Sequence, residues 1–244
     1  MKQLCHKEPI WFAVLWIAIY VIGFSAADGI SESIGIPKLI TVIIGLILAV
    51  ILIGFIRGEG LEGYYGLCGI KAGAGNFAYF IPLAVISSVN LWFGLRANYP
   101  AVTAALSVIS MCLVGVLEEV IFRGLLFRAM GRDGLKAAVI VSSLTFGFGH
   151  IVNLLLGAPV FETLLQLIYA SAIGFCYTAV FLSCGSIMPC IISHALVNSL
   201  SVFAAEPSRV WLVVTALVQT IMSMGYGIWL LRKNGISLQA ADKG

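Results

Sequence analysis

Glu118 and Glu119 stand side by side in the stretch LEEVIFRG (117–124), at the end of an apolar run from Ala101 to Leu117. Ionisable groups inside a membrane are costly, so each one is a functional hypothesis in its own right. Besides the two glutamates, the apolar segments hold only His150 and His194; the third histidine, His6, lies in the charged head of the chain. A carboxylate in a low-dielectric cavity is a plausible general acid or base near neutral pH. Two imidazoles can hold and orient a water, or bind a divalent metal. Asn198, four residues after His194, can donate a hydrogen bond to a developing oxyanion. Together these are the parts needed to attack a peptide carbonyl with activated water.

Helical spacing sorts the groups. Residues i and i+4 share a helix face, so Glu119 can pair with Arg123, and His194 shares a face with Asn198. Glu118 lies about 100° around the helix from Glu119, because a turn takes 3.6 residues. One glutamate is therefore expected to be neutralised by arginine while the other points elsewhere. No HExxH helix and no GxSxG elbow is present.

The elements that must position these groups follow from composition. The 244 residues are 61% apolar and only 10% charged, against about 25% charged in soluble domains. The reading is a single all-α, polytopic membrane domain over residues 1–244. Eight stretches approach the roughly 20 apolar residues that a spanning helix needs. They run approximately 9–26, 38–56, 77–95, 101–122, 136–156, 163–183, 186–205 and 210–231. A bundle of about eight helices around a polar cavity is the expectation. The basic head and small-residue "SAA" end of the first stretch are signal-like, but its length favours a retained span. The glycine-rich loop 57–76 reads as a connector, and no internal repeat is visible.

Loop charge sets an orientation. With the N-terminus inside, 11 of the 14 Lys and Arg fall on the cytoplasmic side. Both termini are then cytoplasmic, in a multi-pass protein of the cell membrane. At 1.5 Å per residue, Glu118 is about 15 Å from Arg128, His194 about 12 Å from Ser186 and His150 about 21 Å from Lys136. The three can meet at similar depth. A net charge of +3 does not suggest nucleic acid as a partner. The six cysteines show no CxxC or zinc-ribbon spacing and are expected to pack as small apolar residues.

Three motifs in order, EEVIFR (118–123), FGFGH (146–150) and HALVN (194–198), read as EExxxR, FxxxH and HxxxN. In this order and spacing the chain resembles the CPBP family, which includes type II CAAX prenyl endopeptidases, bacteriocin-processing enzymes and Abi-like relatives. The resemblance spans about residues 101–205, the expected catalytic core. It implies an intramembrane endopeptidase acting on a membrane-associated protein or peptide. By motif match, Glu118 activates the water, His150 and His194 position it, Asn198 stabilises the oxyanion, and Glu119 and Arg123 support the site. Glu118, His150 and His194 could hold zinc or only a water, and the sequence leaves both open. It also leaves open whether the substrate is prenylated and what the oligomeric state is. The alternative is a non-enzymatic immunity or interaction protein on the same bundle. A proton relay or transporter is disfavoured, because no pair of interrupted helices repeats in two halves.

Overall fold

A computed structural model of the chain describes residues 1–70 and 80–238. Lys71, Lys243 and the 77–79 start of the expected third span lie outside the described residues, as do residues 71–76 of the glycine-rich loop. Eight helices carry the architecture: α1 (Pro9–Ser33), α2 (Leu39–Gly58), α3 (Ile81–Ser87), α4 (Ala101–Glu119), α5 (Leu135–Gly149), α6 (Val160–Cys184), α7 (Met188–Ser201) and α8 (Arg209–Lys233). Short helical turns at Lys2–Lys7, Glu62–Tyr65 and Val152–Leu155 decorate their ends. Among the described residues the only β feature is an isolated antiparallel bridge between Leu95 and Ala204. The protein is all-α and polytopic.

Proline placement starts several of these helices. Pro9, Pro82 and Pro189 occupy the first turns of α1, α3 and α7, where a missing N–H costs nothing and the fixed φ favours the helix. At the other end of α6, Gly185 takes φ 71°. Its left-handed conformation stops the helix and turns the chain into α7.

Among the described residues six helical segments are long and apolar enough to cross a bilayer: Pro9–Ser33, Leu39–Gly58, Ala101–Met130, Leu135–Leu155, Val160–Cys184 and Arg209–Lys233. The third and seventh stretches expected from sequence differ from this. α7 has 14 residues, so it rises only about 21 Å against a hydrocarbon thickness of about 30 Å. α3 has 7 residues and gives way to a 3₁₀ turn at Val89–Leu91. Apolar content was continuous there, but Pro82 and Pro189 delay the helices and the 3₁₀ turn ends the first of them early. The two short elements pack on each other. Ser87 and Ser193 hydroxyls lie 2.8 Å apart, and Asn90 Nδ2 donates to the Val197 carbonyl at 2.6 Å.

The long helices are apolar nearly all round. Ile22, Val50, Val102 and Ile221 are exposed on their outer faces, as lipid contact requires. The interior holds small and polar residues: Ser107, Ser110, Ser142, Thr178, Ser193 and Ser223 are all buried. Small residues let helices approach, and hydroxyls find backbone carbonyls within the bundle. Ser143, for instance, donates to Val139 O at 2.6 Å and Thr178 to Gly174 O at 2.9 Å. All six cysteines are free, and Cys5, Cys176, Cys184 and Cys190 are buried.

Two crossings set the positions of the polar side chains. A Cβ on Gly115 would lie 2.8 Å from the Ala195 backbone nitrogen, so α4 and α7 touch backbone to backbone there. A Cβ on Gly147 would lie 2.8 Å from the Leu167 carbonyl oxygen, which makes the same kind of contact between α5 and α6. Gly149, two residues on, has open space around it.

Candidate active site

Glu118 and Glu119 are the last two α-helical residues of α4. The chain then widens into a π-helix over Val120–Leu126 before one further α-turn at Phe127–Met130. Sequence periodicity predicts an uninterrupted α-helix here. The wider turn loosens the backbone ladder, and Ser142 Oγ, from α5, donates to the Phe122 carbonyl at 2.9 Å. Such π segments are frequent at functional sites.

Glu119 is fully buried. Its Oε1 accepts from Arg123 Nη1 at 3.0 Å and from His194 Nδ1 at 2.8 Å. Arg123 is buried too, and its guanidinium lies 4.0 Å from the centre of the Phe146 ring and 5.3 Å from that of Tyr177. A buried carboxylate is tolerable only when paired and hydrogen-bonded, and here it has a cation and an imidazole. The i, i+4 pair was legible in the sequence; the second bond, to His194, was not.

Glu118 faces another way. Its Oε1 accepts from the Tyr20 hydroxyl at 2.6 Å, and its Oε2 lies 3.8 Å from His194 Nε2. Since Nδ1 of His194 donates to Glu119, Nε2 of the neutral ring is an acceptor. Two acceptors facing each other across 3.8 Å suit a water that donates one proton to each. At about 2.8 Å from either atom it sits to one side of the line joining them.

His150 follows the end of α5. Its Nδ1 meets the Gln166 side-chain nitrogen at 3.2 Å, and Asn153 Nδ2 donates to Gln166 Oε1 at 2.9 Å. The amide nitrogen has only protons to offer, so Nδ1 accepts and the ring proton resides on Nε2. The two histidines are thus held in opposite tautomers: His194 offers an acceptor and His150 a donor. Phe146 lies edge-on to both, its ring centre 5.8 Å from that of His150 and 5.5 Å from that of His194. Phe146 is therefore core packing that also spaces the two imidazoles, whereas Phe148 is exposed.

Two cavities meet at these residues. One, of about 330 Å³, is lined by His150, His194, Asn198, Gln166, Asn90 and Tyr169, among others. The second, of about 410 Å³, is lined by Glu118, Tyr20, His150, Phe148, Asp28 and Lys38, among others. His150 and Phe146 line both. Glu118, Glu119, His194 and Arg123 are thus brought into one network, with His150 on the shared wall and Asn198 on the far cavity. Tyr177 also borders the first cavity.

Metal was the open alternative. Among the described residues no three His, Cys, Asp or Glu side chains gather closely enough to hold an ion. His194 presents a free Nε2 lone pair, but His150, in the tautomer that Gln166 holds, presents a protonated Nε2. The donor set does not fit zinc as it stands.

Tyr20 was missed from sequence. A tyrosine in an apolar span has no spacing partner, and its contact lies 98 positions away. The available signal was its polar hydroxyl at the middle of an otherwise apolar helix, since a buried Tyr O–H needs a partner.

No curated protein and no solved structure matches the chain. Residues 100–200, which contain every motif residue named above, match the family model described as type II CAAX prenyl endopeptidase Rce1-like. The matched segment, about two fifths of the chain, is thus similar to the type II CAAX prenyl endopeptidases of the CPBP family, and the long apolar helices mark a multi-pass membrane protein.

Proposed function

We propose that the protein hydrolyses a peptide bond of a membrane-associated peptide or protein by a glutamate-activated water. The observation that carries this reading is the pair of acceptors, Glu118 Oε2 and His194 Nε2, 3.8 Å apart beside a cavity wall formed by His150. A water held by both has its protons engaged and its lone pairs directed outward, at a carbonyl carbon. As the water oxygen attacks, one proton passes to Glu118 and the carbonyl becomes an oxyanion. The Nε2–H of His150 and the amide of Asn198 supply hydrogen bonds to that oxyanion, which are stronger in a water-poor site. Collapse of the tetrahedral species breaks the C–N bond, and the leaving amine takes the proton from Glu118. The products are an amine and a carboxylic acid, which ionises by losing the second water proton to solvent.

Glu119 has a different task in this scheme. It holds His194 by Nδ1, so that Nε2 faces the water, and Arg123 neutralises the charge that does the holding. No step passes through a metal. The catalytic core extends over residues 101–205, and the loop-charge asymmetry supports cytoplasmic termini on both sides of it.

The test compares membrane proteomes of wild-type and Glu118→Gln cells. A peptide released only in the wild type, and restored by the wild-type gene, supports the reading. Purified Glu118→Gln protein that cuts at the wild-type rate overturns it.

A further inference from the structure

We propose that Tyr20, on α1 and outside the matched family segment, is a positioning residue for Glu118. The inference rests on the glutamate reading given above. The two adjacent carboxylates have different kinds of partner. Glu119 is held by a guanidinium 3.0 Å away and by the His194 ring. Glu118 is held at Oε1 by a neutral phenol 2.6 Å away, leaving Oε2 turned toward His194. One donated hydrogen bond fixes the rotamer of the carboxylate without the cation that would suppress proton uptake.

The ring is itself fixed. Tyr20 is 8% exposed, and its ring centre is 4.7 Å from that of Phe24, one helical turn further on. Tyr20, Phe24, Ser25 and Asp28 all border the cavity that also contains Glu118 and His150. α1 therefore forms one wall of the catalytic cavity, opposite walls supplied by α4 and α5. α1 also packs against the π-helical turn that follows Glu118, so a shift of α1 moves donor and carboxylate relative to each other. The titratable and charged groups around Glu118 are Tyr20 and Asp28 from α1, Lys38 at the start of α2, Glu119 on its own helix, His150 after α5 and His194 from α7. Asp28 is taken up by Lys38, 2.8 Å away. Tyr20 is the only one of these groups that donates to Glu118 within hydrogen-bond distance among the described residues.

The experiment uses the full-length protein in phosphatidylglycerol–phosphatidylcholine vesicles with an internally quenched pool of apolar decapeptides as probe. Tyr20→Phe is expected to lower kcat about tenfold, as loss of a hydrogen bond to a charged group does, with KM within about twofold of wild type. The acidic limb of its pH–rate profile should move to higher pH, because the ionised carboxylate loses a donor. A merely structural tyrosine would not move that limb. Wild-type kcat and an unmoved limb, with Glu118→Gln inactive, overturn the role of Tyr20 while leaving the glutamate mechanism standing. An active Glu118→Gln protein overturns both. Should Tyr20→Phe fail to insert, 3-fluorotyrosine at position 20 keeps the shape and strengthens the donor. The limb then moves to lower pH, and an unmoved limb overturns the proposal.

Discussion

The two faces of the α4 terminus differ more than adjacent positions usually do. The Glu119 face is sealed: a guanidinium, an imidazole and two aromatic rings surround the carboxylate, and neither Glu119 nor Arg123 is exposed. The Glu118 face opens on a cavity, with one neutral hydroxyl and an imidazole 3.8 Å away. A charge held by another charge is architecture, because changing its protonation state would strand its partner. A charge held by a phenol can change protonation state at lower cost. Under the proposed mechanism the comparison assigns reactivity by partner type, since depth and helix are the same for both glutamates.

The sharpest way to break that contrast is a crossed pair of variants. Glu118→Gln keeps the shape and an acceptor for Tyr20, so a rate loss of about 10²–10⁴-fold is expected, with the thermal midpoint in detergent nearly unchanged. Arg123→Met leaves Glu119 buried without its cation, and removing one member of a buried pair costs about 3–5 kcal/mol. Its thermal midpoint should fall steeply, and activity should be lost through unfolding rather than through KM. If Glu118→Gln unfolds the protein, or Arg123→Met leaves the midpoint in place, the division between the two faces is wrong.

Much of the sealed face was legible in the sequence. The i, i+4 spacing of Glu119 and Arg123 is a local pattern, and local geometry decides it. The order EExxxR, FxxxH, HxxxN also marked His150, at the end of α5, and His194 and Asn198, both on α7. What was not legible is non-local or depends on helix type. The π-helical turn after Glu119 leaves no periodic trace in an apolar run. The short lengths of α3 and α7 were hidden because hydropathy continues past their ends, while Pro82 and Pro189 set where the helices begin. Tyr20 reaches Glu118 because α1 packs against the π-helical turn that follows α4, a fact of tertiary structure that no spacing encodes.

A gentler perturbation acts where the faces are brought together with α7. Gly115 is the point at which α4 meets the backbone of Ala195, and His194 is the residue just before Ala195. Gly115→Val forces the two helices apart, because the obstructing atom is backbone nitrogen and cannot rotate away. Overpacking of this kind costs about 1–3 kcal/mol. The effect on rate should be larger than stability alone explains, since a 1 Å misplacement of a positioned group can cost about 100-fold. Activity measured well below the melting transition separates the two contributions. A variant that loses stability but keeps the wild-type kcat would show that the α4–α7 distance does not govern the contact between Glu118 and His194.

The smallest expected effect concerns FGFGH, where two phenylalanines two residues apart have opposite fates. Phe146 is 4% exposed and its ring lies against Arg123, on the sealed face; Phe148 is 55% exposed and borders the cavity of Glu118. Truncating an exposed side chain away from caps, ion pairs and the core changes stability by about 0.5 kcal/mol or less. Phe148→Ala should therefore leave the thermal midpoint in place and act, if at all, on KM, by widening the wall against which a substrate segment rests. A rise in KM at constant kcat means that the ring contributes uniform binding, equal in ground and transition states. A fall in kcat at constant KM would mean instead that Phe148 helps to shape the transition state, and the boundary of the reactive face would have to be redrawn to include it.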